Sequence, residues 1–227
     1  MDWYPLYNSL RIALISTVII FFAGIAAAYY VARLPRVLKG VLDVLFTLPL
    51  VLPPTVVGYL LLRVLGPKRA VGAWALAHFN LKLTMVWWSA IFATAVVIFP
   101  LMYRTARGAF EGFDQSLADA GRTLGKSNTW VFWRVKMPAC RQGIIAGSVL
   151  AFARALGEYG ATSMVAGYTP GSTATVSTTV YQLWRTGEDG LAFQWVLVNL
   201  AISAVVLLAM NMLEARSRSA RAKGAVA

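Results

Sequence analysis

Five stretches of this 227-residue chain are apolar over the length that a helix needs to cross a lipid bilayer. The hydrocarbon core of a bilayer is about 30 Å thick, and roughly 20 helical residues span it. Inside lipid a segment must satisfy its own backbone hydrogen bonds, and a helix does so along its whole length. We therefore predict an all-α integral membrane protein with about five transmembrane helices, at residues 12–32, 41–62, 83–103, 143–166 and 191–213.

The composition supports a membrane protein of one domain. Hydrophobic residues make up 59% of the chain and charged residues 13%, whereas soluble domains have about 45–50% and about 25%. No repeat or low-complexity tract interrupts residues 1–227, which we interpret as a single transmembrane domain. The net charge of +12 fits basic loops on the inner side of a membrane, so we predict no nucleic-acid partner. The single cysteine, Cys140, excludes an intramolecular disulfide and a cysteine-based metal site.

The basic residues predict the orientation of the chain in the membrane. With the N-terminus outside, the inner segments are 33–40, 104–142 and the C-terminal tail, which hold three, seven and four basic residues. The outer segments then hold six. Because Lys and Arg accumulate in short cytoplasmic loops, fourteen against six predicts an N-terminus outside and a C-terminus inside.

The inner segment 104–142 carries signals for two short helices. Ser116 followed by Asp119 matches a capping box that begins a helix, and Gly125 is suited to end it. Ser127 can cap a second helix, which we expect to end near Pro138. Two interpretations remain open here. The helices project toward a soluble partner, or the seven basic residues hold the segment against anionic lipid headgroups.

Residues 120–127 satisfy a relaxed phosphate-loop pattern in which Ala120 replaces the first glycine. A real phosphate loop joins a buried strand to a helix, so that backbone N–H groups surround the phosphate. The residues before Ala120 are polar and helical in pattern. We therefore predict that this chain binds no nucleotide, metal or other cofactor itself.

The fourth predicted span combines a packing face with two charges. Small residues recur every four positions, a spacing that lets another helix approach closely: Gly143, Gly147, Ala151 and Ala155. Arg154 and Glu158 lie four residues apart, within reach of each other on a helix. A charge inside the membrane is costly, at about 2.5–3.5 kcal/mol on insertion scales. The pair either neutralises itself or contacts a substrate.

Two segments are candidates for a transport path. Pro53 and Pro54, with Thr55 after them, should break the second span, because each proline removes an N–H and disrupts the preceding turn. Broken helices face protein or a watery path, and a fixed kink for packing is equally consistent. Residues 168–179 are dense in hydroxyls and include Thr173 and Thr175, which could guide an oxyanion or belong to an ordinary outer loop.

Several of these residues resemble a known family. The EAA loop of bacterial ABC import permeases is matched by Asp119, Ala120, Gly121, Gly125, Val135, Met137 and Pro138. The stretch FARALGEYGAT at 152–162, followed by 166–171, resembles permeases for tetrahedral oxyanions, above all the molybdate ABC transporter permeases. The loop departs from the usual motif, since Asp replaces Glu, Gly replaces the second Ala, and Val and Met replace Ile and Leu. The Gly121 replacement should weaken its helix by about 0.5–1 kcal/mol.

The resemblance implies a type I ABC importer permease in the bacterial inner membrane, with 104–142 as the coupling loop. It implies a homodimer, two cytoplasmic ABC ATPases that carry ATP and magnesium, and a periplasmic molybdate-binding protein.

Other functions stay open at this point. A permease for sulfate, thiosulfate or tungstate would have the same architecture. A passive channel would be unaffected by Gly125→Asp, whereas this change should uncouple an importer. An intramembrane enzyme is disfavoured, because Asp43 stands alone and His78 lies in an outer segment.

Overall fold

The computed structural model describes residues 2–224, and the side chains of all of these except 210, 211 and 213–224. The basic residues of the predicted inner tail therefore lie outside the described side chains. Every regular element in the described range is a helix. In chain order they are α1 (Tyr4–Val31), α2 (Arg36–Val51), α3 (Pro54–Leu65), α4 (Ala70–Phe79), α5 (Ser89–Glu111), α6 (Gln115–Thr123), α7 (Asn128–Val131), a π-helix (Phe132–Lys136), α8 (Met137–Leu156), α9 (Gly160–Val165), α10 (Val176–Arg185) and α11 (Asp189–Gly224).

The apolar helices confirm the all-α membrane fold. Helices α1, α5 and residues Asp189–Ala209 of α11 are each long and apolar enough to cross a membrane. Helices α2 and α3 form a fourth candidate span, bent by 112° at the predicted proline break. The remaining predicted span, 143–166, is divided between α8 and α9. Helix α8 has 20 residues but carries Arg141 and Arg154, and it does not reach the hydropathy of the other spans.

Helix α5 lies at the centre of the bundle, between α1 and α8. Small residues bring the three helices together. A Cβ atom on Gly24 of α1 would lie 2.8 Å from Met102 Cγ, and one on Gly143 of α8 would lie 2.7 Å from Ala109 Cβ. Ala151 of α8 is fully buried. The predicted packing face of the fourth span is thus confirmed, and α5 is the helix that it contacts.

Residues 112–136, called the knob below, connect α5 to α8. They begin later than the predicted boundary at 104, because α5 continues as a helix to Glu111. The predicted start of the first short helix was wrong: Asp114 caps it by accepting a hydrogen bond of 2.9 Å from the Ser116 N–H. The predicted end is confirmed, since Gly125 has a φ of +72°, which glycine adopts without strain. Ser127 caps α7 as expected.

The expectation that Pro138 ends the second short helix was wrong. The chain runs from α7 through the π-helix into α8 without a loop. Pro138 falls in the first turn of α8, directly after the π-helix. The π-helix directly before it has a wider turn than an α-helix, which gives the proline ring room without ending the helix. The knob is therefore joined to α8 by continuous helix.

Candidate functional site

Arg122 of α6 connects the two short helices of the knob, because it contacts Asp119 in its own helix and Asn128 at the start of α7. Arg122 Nη1 lies 2.6 Å from Asp119 Oδ1, and Arg122 Nε donates to Asn128 Oδ1 at 3.0 Å. Gly121 packs on α7, where a Cβ atom would lie 3.0 Å from Val131 Cγ2. The glycine that departs from the family motif therefore allows α6 to lie close against α7.

The knob exposes several large apolar side chains among its polar residues. Exposed side chains include Leu117, Leu124, Trp130 and Trp133, which are 42–77% accessible. Clusters of this kind mark surfaces that bind other proteins or membranes. The predicted coupling residues divide between two places. Val135, Met137 and Pro138 form the junction of the knob with α8. The others lie in the knob itself, where Asp119, Ala120 and Gly125 are exposed and Gly121 is buried.

The two broken helices meet in the middle of the fold. Helix α9 begins against α3, because a Cβ atom on Gly160 would lie 2.9 Å from Pro54 Cβ and 3.0 Å from the Thr55 nitrogen. One turn further on, a Cβ atom on Gly58 would lie 2.8 Å from Ala161 Cα. The structure thus brings the predicted residues Pro53, Pro54 and Thr55 next to the break between α8 and α9.

Glu158 organises that second break. Its Oε2 lies 2.8 Å from Arg154 Nη1, an ion-pair contact without hydrogen-bond alignment. Its Oε1 accepts the Ala161 N–H at 2.9 Å, in the first turn of α9. The Glu158 side chain is 1% exposed and that of Arg154 is 37% exposed. The predicted pair is confirmed as a contact, although α8 ends at Leu156, and the acid also caps α9.

Thr173 and Thr175 act as local caps in this structure. The Thr173 hydroxyl accepts the Thr169 N–H at 2.9 Å, and Thr175 forms a capping box with Thr178 at the start of α10. Both side chains are buried. The same segment is fixed to α1, where Asn8 Nδ2 donates to the Ala174 carbonyl at 2.9 Å. Their role in a transport path stays a prediction, and their observed contacts are structural.

A charged network between α2 and α5 was missed by the sequence analysis. Asp43 is not alone, because it contacts Arg107 and accepts a hydrogen bond of 2.5 Å from the Tyr103 hydroxyl. Arg107 Nε also lies 3.1 Å from Glu111 Oε1, which contacts Lys39. The signal was present as two pairs of opposite charge spaced four residues apart, one pair in each helix. Nothing local indicated that the two helices would meet.

Comparison with known proteins places the chain in a family. Residues 19–219 match the family described as binding-protein-dependent transport system inner membrane component. The chain belongs to this family. Among the described residues, no group of three or more His, Cys, Asp or Glu side chains could hold a metal ion.

Individual members of this family cover nearly the whole chain. The molybdenum transport system permease protein ModB of Escherichia coli K12 is 38% identical over 219 residues, 96% of this chain and 95% of that protein. The sulfate transport system permease protein CysW of Synechococcus elongatus is 31% identical over 86% of this chain and 68% of its own. A bacterial alginate ABC transporter, solved with an alginate pentasaccharide-bound periplasmic protein, has a TM-score of 0.74 at 18% identity over 94% of this chain and 78% of that one. The last likeness confirms the predicted permease fold.

Proposed function

We propose that this chain is the permease subunit of an ATP-driven importer that carries molybdate across the bacterial inner membrane. The relation to the E. coli molybdenum permease over 96% of the chain carries this proposal, since it exceeds the relation to the sulfate permease in both identity and coverage. Two copies of the chain form the path, a periplasmic protein delivers the anion, and two cytoplasmic ATPases bind the two knobs.

The knob provides the docking surface for the ATPase in this proposal. Its exposed Leu117, Leu124 and Trp130 would be buried on binding, and Asp119 and Arg122 would supply the polar edge. The basic segment 33–40 and the knob lie at the same end of the bundle, where Arg33 and Lys136 line one cavity. This arrangement supports the cytoplasmic location of both that their positive charge predicts.

Uptake of labelled molybdate tests the substrate. Cells that lack their own system should express this chain with its ATPase and binding protein, and take up molybdate at nanomolar concentration in an ATP-dependent way. Excess sulfate or thiosulfate should leave uptake unchanged. Uptake abolished by modest sulfate, or a preference for tungstate over molybdate, would assign the importer to one of those anions instead.

Gly125→Val tests the coupling role of the knob. A β-branched residue at a φ of +72° is strained by about 1–2 kcal/mol and should distort the bend between α6 and α7. We expect molybdate uptake to fall at least tenfold. Gly171→Val is the matched control, because Gly171 has a φ of +68° with open space around it at the opposite end of the bundle. Flux that persists in Gly125→Val and needs no ATP would identify a passive channel.

A further inference from the structure

A cationic cavity lies where the knob meets the connection between α1 and α2. Its volume is about 750 Å³, and it is open to the surrounding solvent. Among the described residues that line it, Glu111 is the single carboxylate. The basic side chains in its wall are Arg33, Lys39, Arg107, Arg122 and Lys136.

Two of these cations have aromatic neighbours instead of acidic ones. The guanidinium carbon of Arg33 lies 3.7 Å from the centre of the Tyr29 ring. Lys136 Nζ lies 5.3–5.5 Å from the ring centres of Tyr29, Phe110 and Phe113. Burial, with the positive charge of Arg33 nearby, lowers the pKa of the Lys136 ammonium. The other three cations contact carboxylates of Asp43, Glu111 or Asp119, so the positive charge in excess is concentrated at Arg33 and Lys136.

An apolar groove of about 490 Å³ adjoins this cavity. The two share Tyr29, Asn128 and Phe132 in their walls. On one side the groove follows α1 from Phe21 to Tyr30, and on the other it is closed by Trp133 and Met137. Those residues of α1 rise about 14 Å along the helix, which is about half of a 30 Å hydrocarbon core. The groove therefore has the length of one membrane leaflet.

We propose that the cavity and the groove together bind one anionic phospholipid of the inner leaflet. Its phosphate lies between Arg33 and Lys136, and one acyl chain lies along α1 in the groove. A free oxyanion would satisfy the cations but would leave the groove empty, and a neutral lipid would leave the cations without a counter-charge. Only a ligand with both a negative headgroup and an apolar chain matches the adjoining surfaces.

Under this proposal, the two interpretations of the basic segment apply to different surfaces of it. Leu117, Leu124 and Trp130 are exposed and line neither the cavity nor the groove, so a soluble partner can reach them. Arg33 and Lys136 instead line a cavity between the knob and the bundle. One segment thus has separate surfaces for a protein and for a lipid.

Lipid retention by the purified full-length chain tests the proposal. The protein in detergent is given phosphatidylglycerol and phosphatidylcholine with identical acyl chains, and bound lipid is counted by native mass spectrometry. We expect at least tenfold more phosphatidylglycerol than phosphatidylcholine. Lys136→Gln and Arg33→Gln should each lower phosphatidylglycerol retention about tenfold, as expected for loss of a charge-assisted hydrogen bond. Arg36→Gln is the matched control, an exposed cation three residues from Arg33 that does not line the cavity.

Two further variants test whether the groove holds the acyl chain. Ala26→Trp places a ring in the groove and should lower retention of phosphatidylglycerol at least tenfold. Ala23→Trp adds the same ring at an exposed position of α1 outside the groove and should leave retention unchanged.

Three results would overturn the proposal. Equal retention of the two lipids would remove the role of the cations, and an equal drop in Arg36→Gln would reduce the effect to surface charge. Displacement of phosphatidylglycerol by millimolar inorganic phosphate or molybdate alone would assign the cavity to a free oxyanion. Size-exclusion profiles and unfolding temperatures check that each variant folds. Because Arg33 is exposed, its variant keeps the test valid if Lys136→Gln does not fold.

Discussion

The knob and the contact between α3 and α9 are built in opposite ways. In the knob, an exposed hydrogen bond from Arg122 to Asn128 joins the two short helices, and large apolar side chains such as Leu124 are exposed. At the contact between the broken helices, Gly58 and Gly160 leave no space for a side chain, and Glu158 is buried. Under the proposed function the first region is completed by another molecule, whereas the contacts of the second are made within the chain. Substitutions in the knob should therefore change transport, whereas substitutions at the contact between α3 and α9 should change the free energy of unfolding.

Gly58→Leu should cause the largest loss of stability. Its side chain would enter the space occupied by Ala161 and Met164, 2.8 Å from each, and overpacking of this kind costs about 3 kcal/mol. Unfolding of the purified protein in detergent measures the loss. Gly40→Leu, in α2 with nothing within 4 Å, should instead be neutral or stabilising by about 0.5–1 kcal/mol. Similar losses in both variants would show that the close approach of α3 and α9 is not what Gly58 permits.

Glu158→Ala should cause the next largest loss of stability, about 2 kcal/mol in the free energy of unfolding. It removes the acceptor for the Ala161 N–H and the partner of Arg154. Glu158→Gln keeps an oxygen for the N–H and removes only the charge, so its loss should be about half as large. Thermal unfolding of both variants measures the two losses of stability and so their ratio. If they are equally unstable, capping of α9 contributes nothing and the charge contributes everything.

Asp119→Asn should separate stability from transport. An exposed ion pair contributes less than about 0.5 kcal/mol, so unfolding should hardly change. Under the proposed function, ATP-driven molybdate uptake should nevertheless fall severalfold, because the acid lies on the docking surface. Glu188→Gln, an exposed acid next to α11, is the control for uptake. Normal uptake by Asp119→Asn would place the docking contact elsewhere on the knob.

Protonation of Asp114 should have the smallest effect on the structure, and only at low pH. Hydrogen bonds from the Ser116 side chain and N–H lower the pKa of its carboxyl below the ordinary 3.8. Because the folded-state pKa is depressed, the cap contributes fully above that ordinary value and is lost as the pH falls through the lowered one. Hydrogen exchange of the Ser116 amide should show this loss in the natural chain. Asp114→Asn should remove the pH dependence, and a dependence that survives the change would have to come from another group.

Local signals in the sequence were enough for much of this structure. Apolar length predicted α1, consecutive prolines predicted the break before α3, and Gly125 and Ser127 predicted the bend of the knob. Each of these features depends on a few neighbouring residues, so the local sequence is enough to predict it. The pairing of Arg154 with Glu158 was predictable for the same reason, since both lie within about one turn.

Features that depend on distant contacts were not predictable. The partner of Asp43 is 64 positions away and becomes visible only when α2 lies on α5. Pro138 was interpreted as a stop because the π-helix before it has no simple local signature. Thr175 shows a different limit: a hydroxyl that caps a helix and one that lines a path look alike in sequence. Burial and hydrogen-bond partners distinguish them, and only the fold supplies those.

The unbroken helix from α7 through the π-helix to the end of α8 makes the knob one end of a rod. From Asn128 to Leu156 this rod is about 40 Å long at 1.5 Å per residue, and its far end reaches the turn that carries Glu158. A tilt of about 5° at one end displaces the other by about 3–4 Å over that length. Under the proposed function, a movement of the knob would therefore reach the break between α8 and α9 directly, because no loop lies between them.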